Sequence, residues 1–345
     1  MSNSQLKTAA EQKTIKPWEY VSDHSRHDEV NKYLQDIIGR KFLEYRRRWS
    51  QASNIKKIYD FPLFLVFETL FRCNLKCVMC IHSSVDKNKY SYDGKLPYAT
   101  FKAIMKEASK YYCPSMTFGG TSEPLLDHDI VDMVSLARDS GFIDVMMNTN
   151  ATMLDEDMSR RLIKSGLTRL RIGFDGLTER TYEKIRVGAD FKRVRENIIN
   201  FVKIRDSMGL KLPIVRVSFV NLSENGHEVD GFIKFWKPIA DYVSIQIYRP
   251  HVFTKERLKM GPRLMSLSKV VCCQPFERLY IRGNGDVFAC CAVAYGPKIG
   301  NVSNSSLYDL WNSKKMNRFR NILIRGKMDM LPQLCQKCLV INRGV

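Results

Sequence analysis

Between residues 63 and 250, short apolar runs of strand length alternate with longer runs whose apolar residues recur every three or four positions. The spacing predicts strands at 63–70, 115–119, 143–148, 168–174, 214–220 and 242–248. The intervening stripes read as helices: Phe101, Ile104, Met105 and Ala108, then Ile130, Met133, Val134 and Ala137. Val194, Ile198, Phe201 and Val202 form a third, and Val229, Phe232, Ile233 and Trp236 a fourth. Gly141 and Gly166 stand where helices should end. Strictly alternating strands and helices can close only as a parallel sheet with right-handed crossovers. Six such units suit an open partial barrel or a doubly wound sheet, and periodicity does not separate the two. In both, chemistry belongs at the C-terminal ends of the strands.

The flanks follow other rules. Residues 1–27 are a polar lead. Residues 28–50 read as one helix on the spacing of Val30, Tyr33, Leu34, Ile37, Ile38, Phe42 and Tyr45, and 51–62 join it to the first strand. Residues 251–267 are a basic connector. After 268 the pattern becomes a hairpin, 279–282 with 287–290 around Asn284-Gly285, then short helices near 307–311 and 316–324. The divisions expected are thus 1–62, 63–250, 251–267 and 268–345. The last is too small to bury a large core, so some staple is expected there.

The chain has 345 residues, with 55 Lys and Arg against 36 Asp and Glu, a net charge of +19. The densest basic run is Arg40, Lys41, Arg46, Arg47, Arg48, Lys56 and Lys57. Such an excess favours anionic partners in general and equally serves a solvated helix face. No nucleic-acid module stands out, which argues against a nucleic-acid partner. No apolar run is long enough to span a membrane, and the polar start lacks a secretory signal, so a cytoplasmic protein is expected. Ten cysteines in a reducing compartment point to metal or catalysis rather than disulfides.

Three of them form Cys73-x3-Cys77-x2-Cys80, directly after the first strand. Three thiolates in one loop can hold a cubane iron–sulfur cluster with one iron left open to an outside ligand. Zinc and plain buried cysteines are the rival readings. The stretch FETLFRCNLKCVMC resembles the radical S-adenosylmethionine (radical SAM) family, with Met79 at a position often aromatic there. The resemblance implies a partial (β/α)6 barrel, and a [4Fe–4S] cluster whose open iron is chelated by S-adenosylmethionine. One-electron reduction then releases a 5′-deoxyadenosyl radical that takes a substrate hydrogen. An external one-electron reductant, of the flavodoxin or ferredoxin kind, is implied as a partner.

Further stretches agree. Gly119-Gly120-Thr121-Ser122-Glu123-Pro124 resembles the family's glycine-rich turn, which implies cofactor contacts by Gly119, Gly120 and Glu123. Asn148-Thr149-Asn150 is similar to a second family turn, with Ala151 replacing glycine and Asn150 set to bond the cofactor. Ile172-Gly173-Phe174-Asp175-Gly176 resembles a third, with Gly173 where serine is common. Arg216 could pair with the cofactor's carboxylate. Cys113 reads as a buried apolar residue and His82 as structural.

The tail carries a second set. The order Cys272, Gly285-x4-Cys290, Cys335-x2-Cys338 resembles the Twitch domain, a shortened relative of the SPASM extension, and implies a second [4Fe–4S] cluster. Cys273 and Cys291 are alternates for Cys272 and Cys290, and a structural zinc is the rival. Four thiolates leave no open iron, so the second cluster is expected to carry electrons. A substrate radical that loses a proton can pass an electron to it, a net two-electron oxidation. Arg, Lys, Asp175 or a water remain open as proton acceptor, with Asp175 the candidate catalytic residue. The substrate expected is a small molecule, such as a sugar, cyclitol or nucleotide-linked intermediate, and the basic charge suits an anionic one. Radical modification of a ribosomal peptide or protein side chain is the second reading, and a non-catalytic iron–sulfur or nucleic-acid-associated protein the third.

Overall fold

The computed structural model describes residues 24–55, 57–84, 94–248, 272–291, 296–333 and 335–336. The predicted connector 251–267 and the ligand candidate Cys338 lie outside the described residues. All six predicted strands are present: β1 (Phe64–Glu68), β2 (Ser115–Phe118), β3 (Asp144–Thr149), β4 (Arg169–Gly173), β5 (Ile214–Asn221) and β6 (Tyr242–Ile247). They lie in the order β6-β5-β4-β3-β2-β1, every neighbouring pair parallel. Strand order never reverses. A doubly wound sheet needs a reversal, whereas right-handed crossovers that all step one way place every helix on one face. The architecture is therefore a partial barrel, helices outside and a concave face within.

The helices are α3 (Ile81–Ser84), α4 (Tyr98–Lys110), α5 (Ile130–Asp139), α6 (Glu156–Lys164), α7 (Glu179–Ile185), α8 (Phe191–Ser207) and α9 (Val229–Trp236). The predicted stripes of α4, α5 and α8 are buried throughout; in α9, Ile233 is half-buried while Val229, Phe232 and Trp236 are buried. Asp155, Thr178 and Asp190 start α6, α7 and α8, each side chain accepting an N–H three residues on. Gly141 and Gly166 have φ of 95° and 84°, conformations that favour glycine beyond a helix end.

Because strand side chains alternate, the two faces of the sheet differ in kind. Outward residues Leu65, Phe67, Met116, Val145, Leu170, Val215 and Phe219 are fully buried in one apolar core with Phe101, Val134, Ile198 and Phe232. Each contributes about 1.5–3 kcal/mol by leaving water. The inward positions carry a small apolar cluster with Phe64, Val66 and Met146, and beside it Glu68, Thr117, Asn148, Arg171, Arg216 and Ser218. The polar groups of the barrel sheet thus gather on the concave face, and the site lies there.

The predicted N-terminal helix is two helices, α1 (His24–Ile38) and α2 (Arg40–Ser53). Gly39, at φ 77°, breaks it. The break ends the common stripe: Val30, Leu34, Phe42 and Tyr45 are buried, but Tyr33 and Ile37 face outward at 41% and 42% exposure. The buried residues pack against Ile143, Ile214 and Tyr242, which lie where β3, β5 and β6 begin, and Trp49 packs against Phe64 in β1. The two helices close the N-terminal end of the barrel.

The tail begins with α10 (Gln274–Glu277) and β7 (Arg278–Arg282), then β8 (Asp286–Phe288) and β9 (Lys298–Asn301). The hairpin expected around Gly285 is there, with a shorter second strand, and it belongs to the barrel sheet: β7 runs parallel to β1, Phe64 opposite Arg278. The third strand, β9, is four residues with a glycine and shows no alternation to read. Helices α11 (Leu307–Trp311) and α12 (Lys314–Ile324) follow. Glu107 of α4 accepts the N–H groups of Leu307 and Tyr308 at the start of α11, at 3.0 and 2.7 Å. Trp311, fully buried, donates to the Tyr59 carbonyl at 2.7 Å. The tail shares the main apolar core rather than building its own. No helix of the described residues is long and apolar enough to cross a membrane.

Candidate active site

The C-terminal ends of β1 to β5 surround a cavity of about 410 Å³, within the range of small-molecule sites. The loop after β1 carries Cys73, Cys77 and Cys80 along one wall. It is tied down at Lys76, whose N–H donates to the Val187 carbonyl at 2.9 Å, and at Val78, which donates to Ile185 at 3.0 Å. Burial raises all three thiols above their ordinary range, Cys77 to about 11. As thiolates they need a nearby positive charge, which bound metal supplies. Among the described residues no three His, Cys, Asp or Glu side chains converge on one ion. Three thiols along one wall, with an open cavity before them, fit the corners of a cubane and a ligand on its fourth iron.

The glycine-rich turn is held by two buried carboxylates. Glu123 accepts from the Thr149 hydroxyl and the Asn150 N–H, both at 2.7 Å, and from the Leu125 N–H at 3.1 Å. Burial pushes it up to about 6, against the pull of these donors. Glu68, at the end of β1, accepts the Thr121 N–H at 2.7 Å and the Ser122 hydroxyl. Burial pushes it up to about 7. The glycines make room for this clamp. A side chain on Gly120 would meet Glu68 Oε1 at 2.6 Å, and one on Gly119, at φ 77°, the Asn148 carbonyl at 2.8 Å. Asn150 donates to Asn74 Oδ1 at 2.9 Å and lies 3.8 Å from Cys73 Sγ, so the β3 turn buttresses the cysteine loop. Ala151, in the left-handed region at φ 59°, holds the place where the resemblance expects glycine.

Asp175, one of the open candidates for proton acceptor, borders the cavity and is held by two partners. Its Oδ1 accepts the Val220 N–H and its Oδ2 the Arg186 guanidinium, each at 2.6 Å, and it is fully buried. Arg186 also explains Gly173. A side chain there would lie 2.0 Å from the guanidinium, so arginine fills the space that a serine would use. Gly176 lets α7 approach: a Cβ would lie 2.7 Å from Tyr182 backbone.

Arg216 lies beside Arg171, its register partner on β4, and both line the cavity. Among the described residues neither Nε has a hydrogen-bond partner. Burial lowers both, Arg171 to about 10 with Arg216 adding like-charge repulsion.

A second cavity, also about 410 Å³, lies inside the barrel below the first. The two share Gly120, Thr121, Asn148 and Arg171, and the second reaches Cys291 of the tail. There the thiol of Cys273 faces Glu277, and burial together with that carboxylate pushes it up to about 12. Cys291 is exposed and is held by Gln274, which accepts its N–H at 2.8 Å. Cys272 and Cys335 are half-buried and pack on the main core. His82 packs against Phe71 with the two rings tilted at 57°, and Cys113 is buried with its thiol donating to the Ser115 carbonyl.

Glu68, Arg171 and Arg186 were not singled out from the sequence. Arg169 and Arg171 gave a signal, being two charges on one face of a strand whose other face is apolar. Glu68 ends its strand where barrel chemistry is expected. Arg186 gave none, because its reach across the strand is tertiary.

Residues 67–234 match the Radical SAM superfamily, and 272–339 match the iron–sulfur cluster-binding domain called SPASM. A barrel of this kind with a cysteine loop after its first strand defines the class. The chain carries a radical SAM domain and a C-terminal SPASM-type domain, and the cofactors of these domains are [4Fe–4S] clusters and S-adenosylmethionine. GTP 3′,8-cyclase of Clostridium botulinum is 30% identical over 168 residues, 48% of this chain and 50% of that protein. The chain thus spans about half the length of the curated relatives it matches. Among solved structures, SuiB of Streptococcus suis bound to S-adenosylmethionine superposes with a TM-score of 0.61 at 18% identity, covering 81% of this chain and 72% of that one. BtrN in complex with AdoMet and 2-DOIA superposes at 0.51 and 18%, covering 81% and 92%. These two likenesses are of fold.

Proposed function

We propose that the chain oxidises a small molecule by two electrons, with the substrate in the second cavity, between the two cysteine sets. One observation carries this reading: the inner chamber opens at its top onto the cavity of Cys73, Cys77 and Cys80 and reaches Cys291 at its far end. Bound clusters and S-adenosylmethionine supply radical initiation at one end and an electron acceptor at the other. The protein's own groups do the holding. Glu123 and Glu68 fix the turn between the cavities, Asn150 steadies the cysteine loop, and Arg216 offers a donor to the cofactor carboxylate. We assign Cys272, Cys290, Cys335 and Cys338 to the second cluster, on the order of the cysteines within the SPASM-type segment 272–339. Helix α2 closes the chamber from below, which suits a small molecule better than a peptide.

Paramagnetic resonance of the anaerobically reconstituted, dithionite-reduced chain tests this. Two cluster signals are expected, of which S-adenosylmethionine alters one. A single signal, or two that both ignore the nucleoside, would overturn the reading.

A further inference from the structure

The inner chamber is lined by Arg46, Arg169, Arg171 and Arg278, and by the carboxylates of Glu68 and Asp144. Arg169 is bridged by Asp144 at 2.9 and 2.6 Å, Arg278 by Glu277 at 2.7 Å and Arg186 by Asp175 at 2.6 Å. Among the described residues Arg171 has no such partner. Its terminal nitrogen donates to the Met146 sulfur at 2.8 Å, a weak acceptor, and its Nε bonds to nothing. The neighbour across the register is another arginine, Arg216. A buried guanidinium without a carboxylate is costly unless a ligand anion completes it.

Arg171 lines both cavities, so its charge faces the inner chamber as well as the cofactor side. The same chamber is lined by Arg46 and Trp49 of α2, one helical turn apart. Arg46 makes no ion pair among the described residues and lies 5.8 Å from the Trp49 ring. Helix α2 precedes the matched segment 67–234.

We infer that the inner chamber selects an anionic substrate, one bearing a phosphate or a free carboxylate group, whose charged group is held by Arg171 with Arg46 of α2 completing the site. The inference rests on the function proposed above, and names the class of molecule that the chamber admits. Charge-assisted, two-pronged bonds from guanidinium to oxyanion supply the recognition.

The test uses the full chain, reconstituted with its clusters, first without and then with saturating S-adenosylmethionine. Inorganic pyrophosphate is titrated in one arm and malonate in another, followed by equilibrium dialysis and by tryptophan fluorescence, since Trp49 lines the chamber. Saturable binding of at least one anion is expected, and the tighter of the two tells phosphate from carboxylate. Arg171→Gln should weaken it about tenfold, Arg46→Gln by about threefold, and Arg171→Lys should restore part of the loss. Lys102→Gln, on the outer helix α4, should leave it unchanged. Circular dichroism and iron content show whether each variant folds. Equal binding by Arg171→Gln and unaltered protein, no saturable binding, or displacement by added S-adenosylmethionine would each overturn the inference. Displacement would give Arg171 to the cofactor site. Failure of the underlying function shows differently, as absent 5′-deoxyadenosine from the unaltered protein.

Discussion

Arg186 grips Asp175 with two nitrogens, Nε and a terminal one, each 2.6 Å from the same carboxylate oxygen. The other oxygen is taken by the β5 backbone at Val220. The pair ties the loop after β4 to α7 and β5, and α7 in turn anchors the cysteine loop through Ile185. Asp175→Asn should therefore act on stability. Breaking a buried pair leaves Arg186 unmatched, at a cost of about 3–5 kcal/mol. Denaturant unfolding should show that loss, while the pH profile of any residual turnover keeps its shape. An unchanged midpoint with a shifted profile would mark Asp175 as the proton acceptor.

Gly173→Ser, the residue common in the family, should damage this chain. The new Cβ would lie 2.0 Å from Arg186, so the guanidinium must leave Asp175. A melting temperature at or above that of the unaltered protein would contradict the packing described.

Ala151→Gly should stabilise. Alanine at φ 59° pays a left-handed penalty of about 1 kcal/mol that glycine escapes. The gain is reduced by the added freedom of the unfolded chain. A higher denaturation midpoint at unchanged slope is the expected result.

Glu68 sets a pH dependence whose sign follows from its environment. Burial raises its folded pKa to about 7 from the ordinary 4.5, so the folded state binds the proton more tightly than the unfolded one. The resulting stability is fully present below about 4.5 and is lost as pH rises through about 7. Glu68→Gln should flatten the stability curve across that window, by up to about 3 kcal/mol. Equal slopes in both proteins would show that the carboxylate is not perturbed.

Cys335→Ala tests the tail. Iron should fall to about one cubane per chain, with cleavage of S-adenosylmethionine still measurable. Unchanged iron would remove Cys335 from the ligand set.

The outer half of the fold was legible because it obeys periodicity. Strands such as 214–220 and stripes such as Phe101, Ile104 and Met105 must bury one face, and that need is written locally. The break at Gly39 was hidden, since Tyr33 and Ile37 continue the spacing although α1 turns them outward. Strand β9 was missed because a sheet edge supplied by β8 decides it. In the site, the motif residues cluster as expected, yet several serve one another. Glu123 holds Thr149 and Asn150, and Asp175 holds Arg186. Those pairings join residues far apart in the chain, which spacing alone does not express. The unmatched charge of Arg171 likewise emerges only when the carboxylates of its neighbours are seen to be spoken for.

The most direct test concerns the thiols after β1. Anaerobic protein reconstituted with iron and sulfide is mixed with dithionite and S-adenosylmethionine, and the products are separated by chromatography. The unaltered chain should form 5′-deoxyadenosine, and Cys77→Ala should form none. No 5′-deoxyadenosine from a cluster-loaded chain, or equal amounts from both proteins, would contradict the account.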